Sequence, residues 1–343
     1  MTNKVDIKVK QIEYNPYEGF NFEFSQFKIS GKDTNIKLIN SFRRACSDNI
    51  PKYAFPRELI KITKNTTVAY NNDYMSLRLS QLPLFNVKKH NIDPKLSYFH
   101  ERYWQNVDYS DKERLVADEE KNIEVMIDVQ NDSDIIKNIA TANEGFKVYI
   151  DNEKVDMYNK KYPILIIKLR PNDSFRCSMK GVLGVGERDT IWASCSNTWH
   201  YYEDNNPNKD LIVALRSSGM LSIKDISVRA CDYLIKKLEI IKKEVIRQFN
   251  KANISNEMFE IELKNEDHTL GELINYDFQS HKNIMFAGVS KPDHLIRNML
   301  IKIETKSNIT KDTLLKTIKE CFKSSTDKVE ALKKGFTNIK YNK

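Results

Sequence analysis

The glycine run Gly181-Val182-Leu183-Gly184-Val185-Gly186-Glu187-Arg188 is the stretch of this 343-residue chain whose composition comes nearest to a reactive loop. Backbone amides of such a run can cradle a phosphate. That requires a following helix and, in one version, a Lys-Ser/Thr pair. Here no such pair follows, Asp189 stands where a third glycine would sit, and Ile191 to Ser194 reads as strand. The expectation is a structural loop, with a nucleotide-binding enzyme using Gly181–Arg188 as the alternative. The six histidines (His90, His100, His200, His268, His281, His294) share no metal-ligand spacing. The five cysteines (Cys46, Cys177, Cys195, Cys231, Cys321) include no CxxC pair, which argues for a reducing compartment and against a disulfide framework. Neither a nucleophile elbow nor a paired-carboxylate motif is present. No catalytic residue, metal or cofactor is expected, and His268 is read as a helix-corner residue bonding local backbone.

Composition sets the class. With 40% apolar residues the chain can bury a sizeable core in two or three domains. A net charge of +8 is modestly basic, far below that of a dedicated nucleic-acid-binding domain. The basic stretch Lys306–Lys343, with ten Lys against four Asp/Glu, leaves a free-standing nucleic-acid-binding protein as a further alternative. No apolar run approaches about 18 residues and the first residues have no signal-like core, so a soluble intracellular protein is expected.

The elements that must position any site come in two similar units. Met258 to Leu263 alternates as a strand and is followed by the polar corner Asn265-Glu266-Asp267. His268 or Thr269 is placed to cap a helix carrying Leu270, Leu273, Ile274 and Phe278 on one stripe. Met299 to Thr305 closes the unit as a strand. Earlier, Phe22 to Ile29 alternates, Thr34 or Asn35 can cap, and the next helix sets Ile36, Ile39, Phe42, Ala45 and Cys46 on one side. Superposing Thr34 on Thr269 aligns Leu38-Ile39-Asn40 with Leu273-Ile274-Asn275. Two apolar faces that neither helix can bury alone predict two halves packed on each other. Long amphipathic helices follow each half: one from a Ser222–Asp225 capping box through Cys231, Leu234, Leu238, Ile241, Val245 and Phe249, the other from Thr310 through Leu314, Ile318, Phe322, Val329, Leu332 and Phe336. They should pack together or across the opposite half's sheet.

Between these units, Val87 to Lys161 changes character. An aromatic and charged run (Tyr98, Phe99, Tyr103, Trp104, Tyr109) precedes the strand Asn122–Val129 and a strand or pair over Ile139–Ile150 with Gly145 as its turn. The lysines of that run are balanced by Asp93, Asp108, Asp111 and Glu113, which favours packing over base stacking. Tyr162–Arg170 is an apolar strand read as buried on both faces, and Phe175–Met179 another.

Two segments carry a resemblance. Glu266-Asp267-His268-Thr269-Leu270-Gly271 resembles the acidic-His-Thr-Leu-Gly run that opens a helix in the smaller alpha-like subunit of eukaryotic and archaeal RNA polymerases. Asn40-Ser41-Phe42-Arg43-Arg44, Ile50-Pro51, Asn65-Thr66-Thr67-Val68, Asp73-Tyr74-Met75 and Arg78 to Leu84 resemble the larger alpha-like subunit. Gly184, Gly186 and Trp192 match that subunit's Gly-x-Gly run ending at a Trp, with Asp189 and Ile191 departing from its usual His and Lys. The chain is therefore similar to a fusion of the two, as found in some large nucleocytoplasmic DNA viruses.

The resemblance implies an α+β fold. Residues 1–86 and 162–250 would form a discontinuous larger-alpha-like dimerisation domain, with 87–161 an inserted mostly-β domain. Residues 251–257 would be the junction and 258–343 the smaller-alpha-like domain, completing an intramolecular pseudo-heterodimer. It implies a half-to-half interface of Leu38, Ile39, Phe42, Leu270, Leu273, Ile274 and Phe278, and docking to large subunits through Arg43, Arg44 and Arg78. Metal sites that some relatives carry in the inserted domain cannot be built, since no cysteine lies between Cys46 and Cys177. The implied role is a non-catalytic assembly platform. Its partners would be the two large catalytic subunits and small accessory subunits, with DNA and RNA met only through the complex and no membrane. The implied place is the virion and host cytoplasm, with the nucleus as the alternative.

Overall fold

Strand alternation and three-four helix spacing place most of the elements. The computed structural model describes residues 5–17, 22–85, 87–92, 120–207, 210–251, 258–293, 295–296, 298–306 and 309–340. The aromatic run at 98–109, His100, His294 and residues 252–257 of the expected junction lie outside them.

Strands β1 (Lys8–Pro16) and β2 (Glu23–Ser30) lead into helix α1 (Ile36–Asp48), which Asn35 caps by accepting from the Leu38 amide at 2.8 Å. Next come β3 (Lys52–Ala54), β4 (Ile60–Asn65) and helix α2 (Asn72–Ser80). The middle of the chain supplies β5 (Ile123–Gln130), β6 (Lys137–Ala140), β7 (Phe146–Ile150), β8 (Glu153–Val155) and β9 (Leu165–Leu169). The long β10 (Ser174–Gly184), then β11 (Cys195–Tyr202) and β12 (Leu211–Ser217), lead to helix α3 (Ile223–Lys251). Ser222 caps it: its Oγ accepts from the Asp225 amide at 3.1 Å and donates to the Asp225 carboxylate at 2.6 Å, in place of the reciprocal backbone bond of a full capping box. The last unit is β13 (Met258–Lys264), α4 (His268–Gln279), β14 (Ile284–Ser290), β15 (Asn298–Thr305) and α5 (Lys311–Asn338).

The result is a mixed helix-and-sheet protein. One antiparallel sheet runs β1-β2-β12-β11, and a second, smaller one runs β13-β15-β14. In sequence between β2 and β11 of the first sheet lies a six-stranded sheet, β3-β10-β5-β7-β8, with β4 also on β10. This sheet takes β3 and β4 from before residue 87 and β10 from after residue 161, so the expected boundaries at 87 and 161 run through it. The reason is the length of β10: its first half pairs with β4 and β5, and its end with β3. Ile139–Ile150 is not a hairpin. It is two strands in different sheets, since β6 pairs with β9 and β7 with β5.

The glycine run also differs from a loop. Gly181 to Gly184 is the end of β10, and the residues expected as strand after it form a short 3-10 turn, Thr190–Trp192. Trp192 is buried, its Nε1 donating to the Val182 carbonyl at 3.1 Å, and its ring lies where a Gly184 Cβ would be; the Ser47 carbonyl crowds Gly186 in the same way. Packing explains both glycines. Gly184→Ala should destabilise by about 1–3 kcal/mol through overpacking, with a change in tryptophan emission that unfolding by urea would quantify.

Lys52, at the start of β3, is buried with its Nζ donating to Ser218 Oγ at 3.0 Å. Burial lowers its ammonium from the usual 10.5 to about 8. Between those two values the unfolded chain holds a proton that the folded chain releases, so stability should rise with pH from about 8 to about 10.4. Below about 8 the lysine is charged in both states and the desolvation cost is fully present. Lys52→Met should therefore stabilise by roughly 2 kcal/mol at pH 7, the lost Ser218 bond offsetting part of the gain, and should remove that rise. Urea melts at pH 7 and 9.5 would check both.

Candidate functional site

Helix α1 packs against helix α4, and α5 packs on α4 and reaches α1 through Phe336. Leu38, Ile39, Phe42, Leu270, Leu273, Ile274 and Phe278 all lie in one continuous core, each no more than 2% exposed. They do not all do the same work. Phe42 stacks on Phe336 of α5 at 4.8 Å between ring centres, and Phe336 meets Phe27 of β2 edge-on at 5.1 Å. Phe278 instead packs edge-on against Phe322 of α5. The final helix thus inserts its end beneath the first sheet, and it approaches closely enough that a Gly335 Cβ would overlap Val9 of β1. The expected packing of the two long helices is also present, α3 lying along α5.

Polar groups fix the register of α1 on α4. Ser41 Oγ donates to the Thr269 carbonyl at 2.6 Å, both residues being buried. Asp267 caps α4 by accepting from the Thr269 amide at 2.8 Å, and its other oxygen receives Arg44 Nη2 at 2.8 Å. Lys37 meets Glu272 at 2.9 Å, and the buried Lys237 of α3 meets the buried Glu266 at 2.7 Å. On the far side of α4 a buried cluster ties it to α5: the Asp277 carboxylate accepts from Ser324 Oγ at 2.8 Å, from Ser325 Oγ at 2.5 Å and from Lys328 Nζ at 2.5 Å.

Two local expectations change. The cap of α4 is Asp267, not His268 or Thr269; His268 is the exposed first residue of the helix. Because the caps are Asn35 and Asp267, equivalent positions in the two helices are three residues away from the Thr34-on-Thr269 superposition. Spacing could not reveal this, since a shift of three residues keeps an apolar stripe almost in place.

The three arginines each have an internal contact. Arg43 bonds Asn40 Oδ1 at 3.0 Å and Thr198 Oγ1 at 3.3 Å, and burial followed by the Arg44 charge lowers its guanidinium. Arg44 is tied to Asp267, within the α1–α4 contact. Arg78 clamps α2 to β9, donating to the carbonyls of Ile166 and Leu165 at 2.8 Å each. Sequence reasoning did not single out Lys237, Asp277 or Lys328, and it named Ser41 and Glu266 only as members of longer motifs, with no partner for either. A lysine or carboxylate on the apolar side of a helix stripe was the available signal.

No thiol here is set for reaction. All five cysteines are buried and free, and burial pushes Cys195 and Cys321 up to about 12. Among the described residues no group of three or more His, Cys, Asp or Glu stands together to hold a metal, and no helix is long and apolar enough to cross a membrane.

Comparison with known proteins gives this geometry a context. Residues 258–341 match the RNA polymerase Rpb3/Rpb11 dimerisation domain. A candidate DNA-directed RNA polymerase subunit of Acanthamoeba polyphaga mimivirus is 28% identical over 315 residues, covering 87% of this chain and 85% of that protein. The chain is similar to the alpha-like RNA polymerase subunits. The DNA-directed RNA polymerase subunit Rpo11 of Saccharolobus solfataricus is 42% identical over 60 residues, 17% of this chain and 65% of the archaeal protein. Rpo11 of Saccharolobus shibatae is 40% identical over the same length. These similarities support a subunit of a DNA-directed RNA polymerase, and the nucleotide-enzyme alternative is not favoured.

Proposed function

We propose that the chain is the non-catalytic assembly platform of a multisubunit DNA-directed RNA polymerase. Its larger-alpha-like part (1–86 and 162–250, interrupted by the body around 87–161) and its smaller-alpha-like part (258–343) pair within one polypeptide, joined at 251–257. The observation that carries this reading is Phe336, from the last helix, lodged between Phe27 and Phe42 of the first unit. Fusion replaces an encounter between two chains by an internal one at roughly millimolar effective concentration. The paired body then offers one surface to the two large catalytic subunits and to small accessory subunits during transcription. It meets DNA and RNA only through that complex, in the virion and host cytoplasm.

Docking falls to Arg43, Arg44 and Arg78, whose guanidiniums can hold a partner's carboxylates while keeping their internal bonds. The test is affinity purification of the tagged chain from its native source, with mass spectrometry of the co-purifying chains. Two very large chains in equal amount, with templated RNA synthesis in the eluate, are expected. A chain recovered alone or as a homo-oligomer would overturn the reading.

A further inference from the structure

The ion pairs between the two halves have an order of sign. Where α1 and α3 meet the start of α4, the first half supplies only cations (Lys37, Arg44, Lys237) and the second half only anions (Glu272, Asp267, Glu266). We propose that this set makes the pairing selective: each half accepts the unlike half and refuses a second copy of itself. The inference rests on the two-halves reading above.

Aligning the helices by their caps shows what a like-half pair would lose. Asn35 stands where the second half has Asp267, Thr34 where it has Glu266, and Asn40 where it has Glu272. Two first halves packed with the same geometry would set Lys37 against Asn40, Arg44 against Asn35 and the buried Lys237 against Thr34. Two second halves would set Glu272 against Thr269 and Asp267 against Tyr276, and Glu266 would lose Lys237. The apolar stripes alone would tolerate either mistake, since both helices bury similar residues. The buried pair would not, because an ammonium or carboxylate taken from water without its counter-ion is strongly destabilising. Between the long helices Lys333 meets Asp232 at 2.5 Å with the sign reversed, and a like-half pair breaks this contact too.

Two measurements test this. In the uncut chain, Lys237→Glu or Glu266→Lys should each lower the melting temperature by about 10 °C or more, and the swapped double variant should regain most of that loss. A double variant melting as low as the singles would overturn the proposal. For selectivity, the chain would carry a protease site within 252–257, be cut after folding, and be exchanged in mild urea before native mass spectrometry. Wild-type pieces should re-form unlike pairs only. With Lys37→Gln, Lys237→Met, Glu266→Gln and Glu272→Gln together, like-half pairs should rise at least about tenfold; an unchanged fraction would overturn the proposal. If the neutral pieces do not re-pair, the uncut cycle decides. Wild-type pieces that do not hold together would instead count against the two-halves reading itself.

Discussion

Leu273→Asp should unfold the α1–α4 contact and with it the folded body of the chain. Leu273 is 1% exposed, in the continuous core that joins α4 to α1, with Ser41 bonded to the backbone one turn earlier. The substitution removes about 2–3 kcal/mol of apolar burial and places a carboxylate in that apolar core, at a further cost of several kcal/mol. Together about 5 kcal/mol or more is lost, against a typical total of about 5–15 kcal/mol. A fall in melting temperature of at least about 10 °C is expected, along with loss of co-purifying large chains. Phe42→Asp should behave alike, because its ring stacks on Phe336. Val68→Asp, at a side chain 90% exposed, should stay within about 0.5 kcal/mol of the parent. Leu273→Asp with unchanged melting and unchanged partners would refute the role given to this contact.

Asp277→Ala is the second large effect. The Asp277 carboxylate is the acceptor for two serine hydroxyls and the ammonium of Lys328, whose side chain is 10% exposed. Removing it leaves that ammonium buried without its counter-ion, beside the Tyr276 ring 5.3 Å from Nζ. Breaking a buried pair from one side costs about 3–5 kcal/mol, whereas replacing both charges by apolar groups is often close to neutral. Asp277→Ala should therefore be severe and Asp277→Leu with Lys328→Met much milder. Equal losses in the single and double variants, read by urea unfolding, would mean that the carboxylate acts through the serines alone. The cluster matters for function because it fixes α5 on α4, and α5 carries Phe336 into the first unit.

The residues that expose the limits of sequence reading are the same ones that carry the pairing. The stripe Leu38-Ile39-Phe42, the stripe Leu270-Leu273-Ile274-Phe278, the Ser222–Asp225 box and the apolar faces of both long helices were all legible. They depend on neighbours three or four residues away, and such contacts are written in local spacing. Strand existence was legible for the same reason, through alternation.

Strand partnership was not. That β10 gathers β3, β4 and β5 while β6 leaves to join β9 depends on backbone bonds between residues far apart, which no local period encodes. The glycines at Gly184 and Gly186 read as a structural loop, with a phosphate loop as the alternative, because sequence shows small residues but not the Trp192 ring or the Ser47 carbonyl that needs the space. Arg43, Arg44 and Arg78 were visible as charges, yet only the fold decides that each already holds an internal partner. By itself the sequence determined most of the elements, their apolar faces and the resemblance to alpha-like polymerase subunits. Tertiary structure decided the register of α1 on α4 and the buried pairs that hold it, because a charge can lie in the core only where a distant residue arrives to meet it.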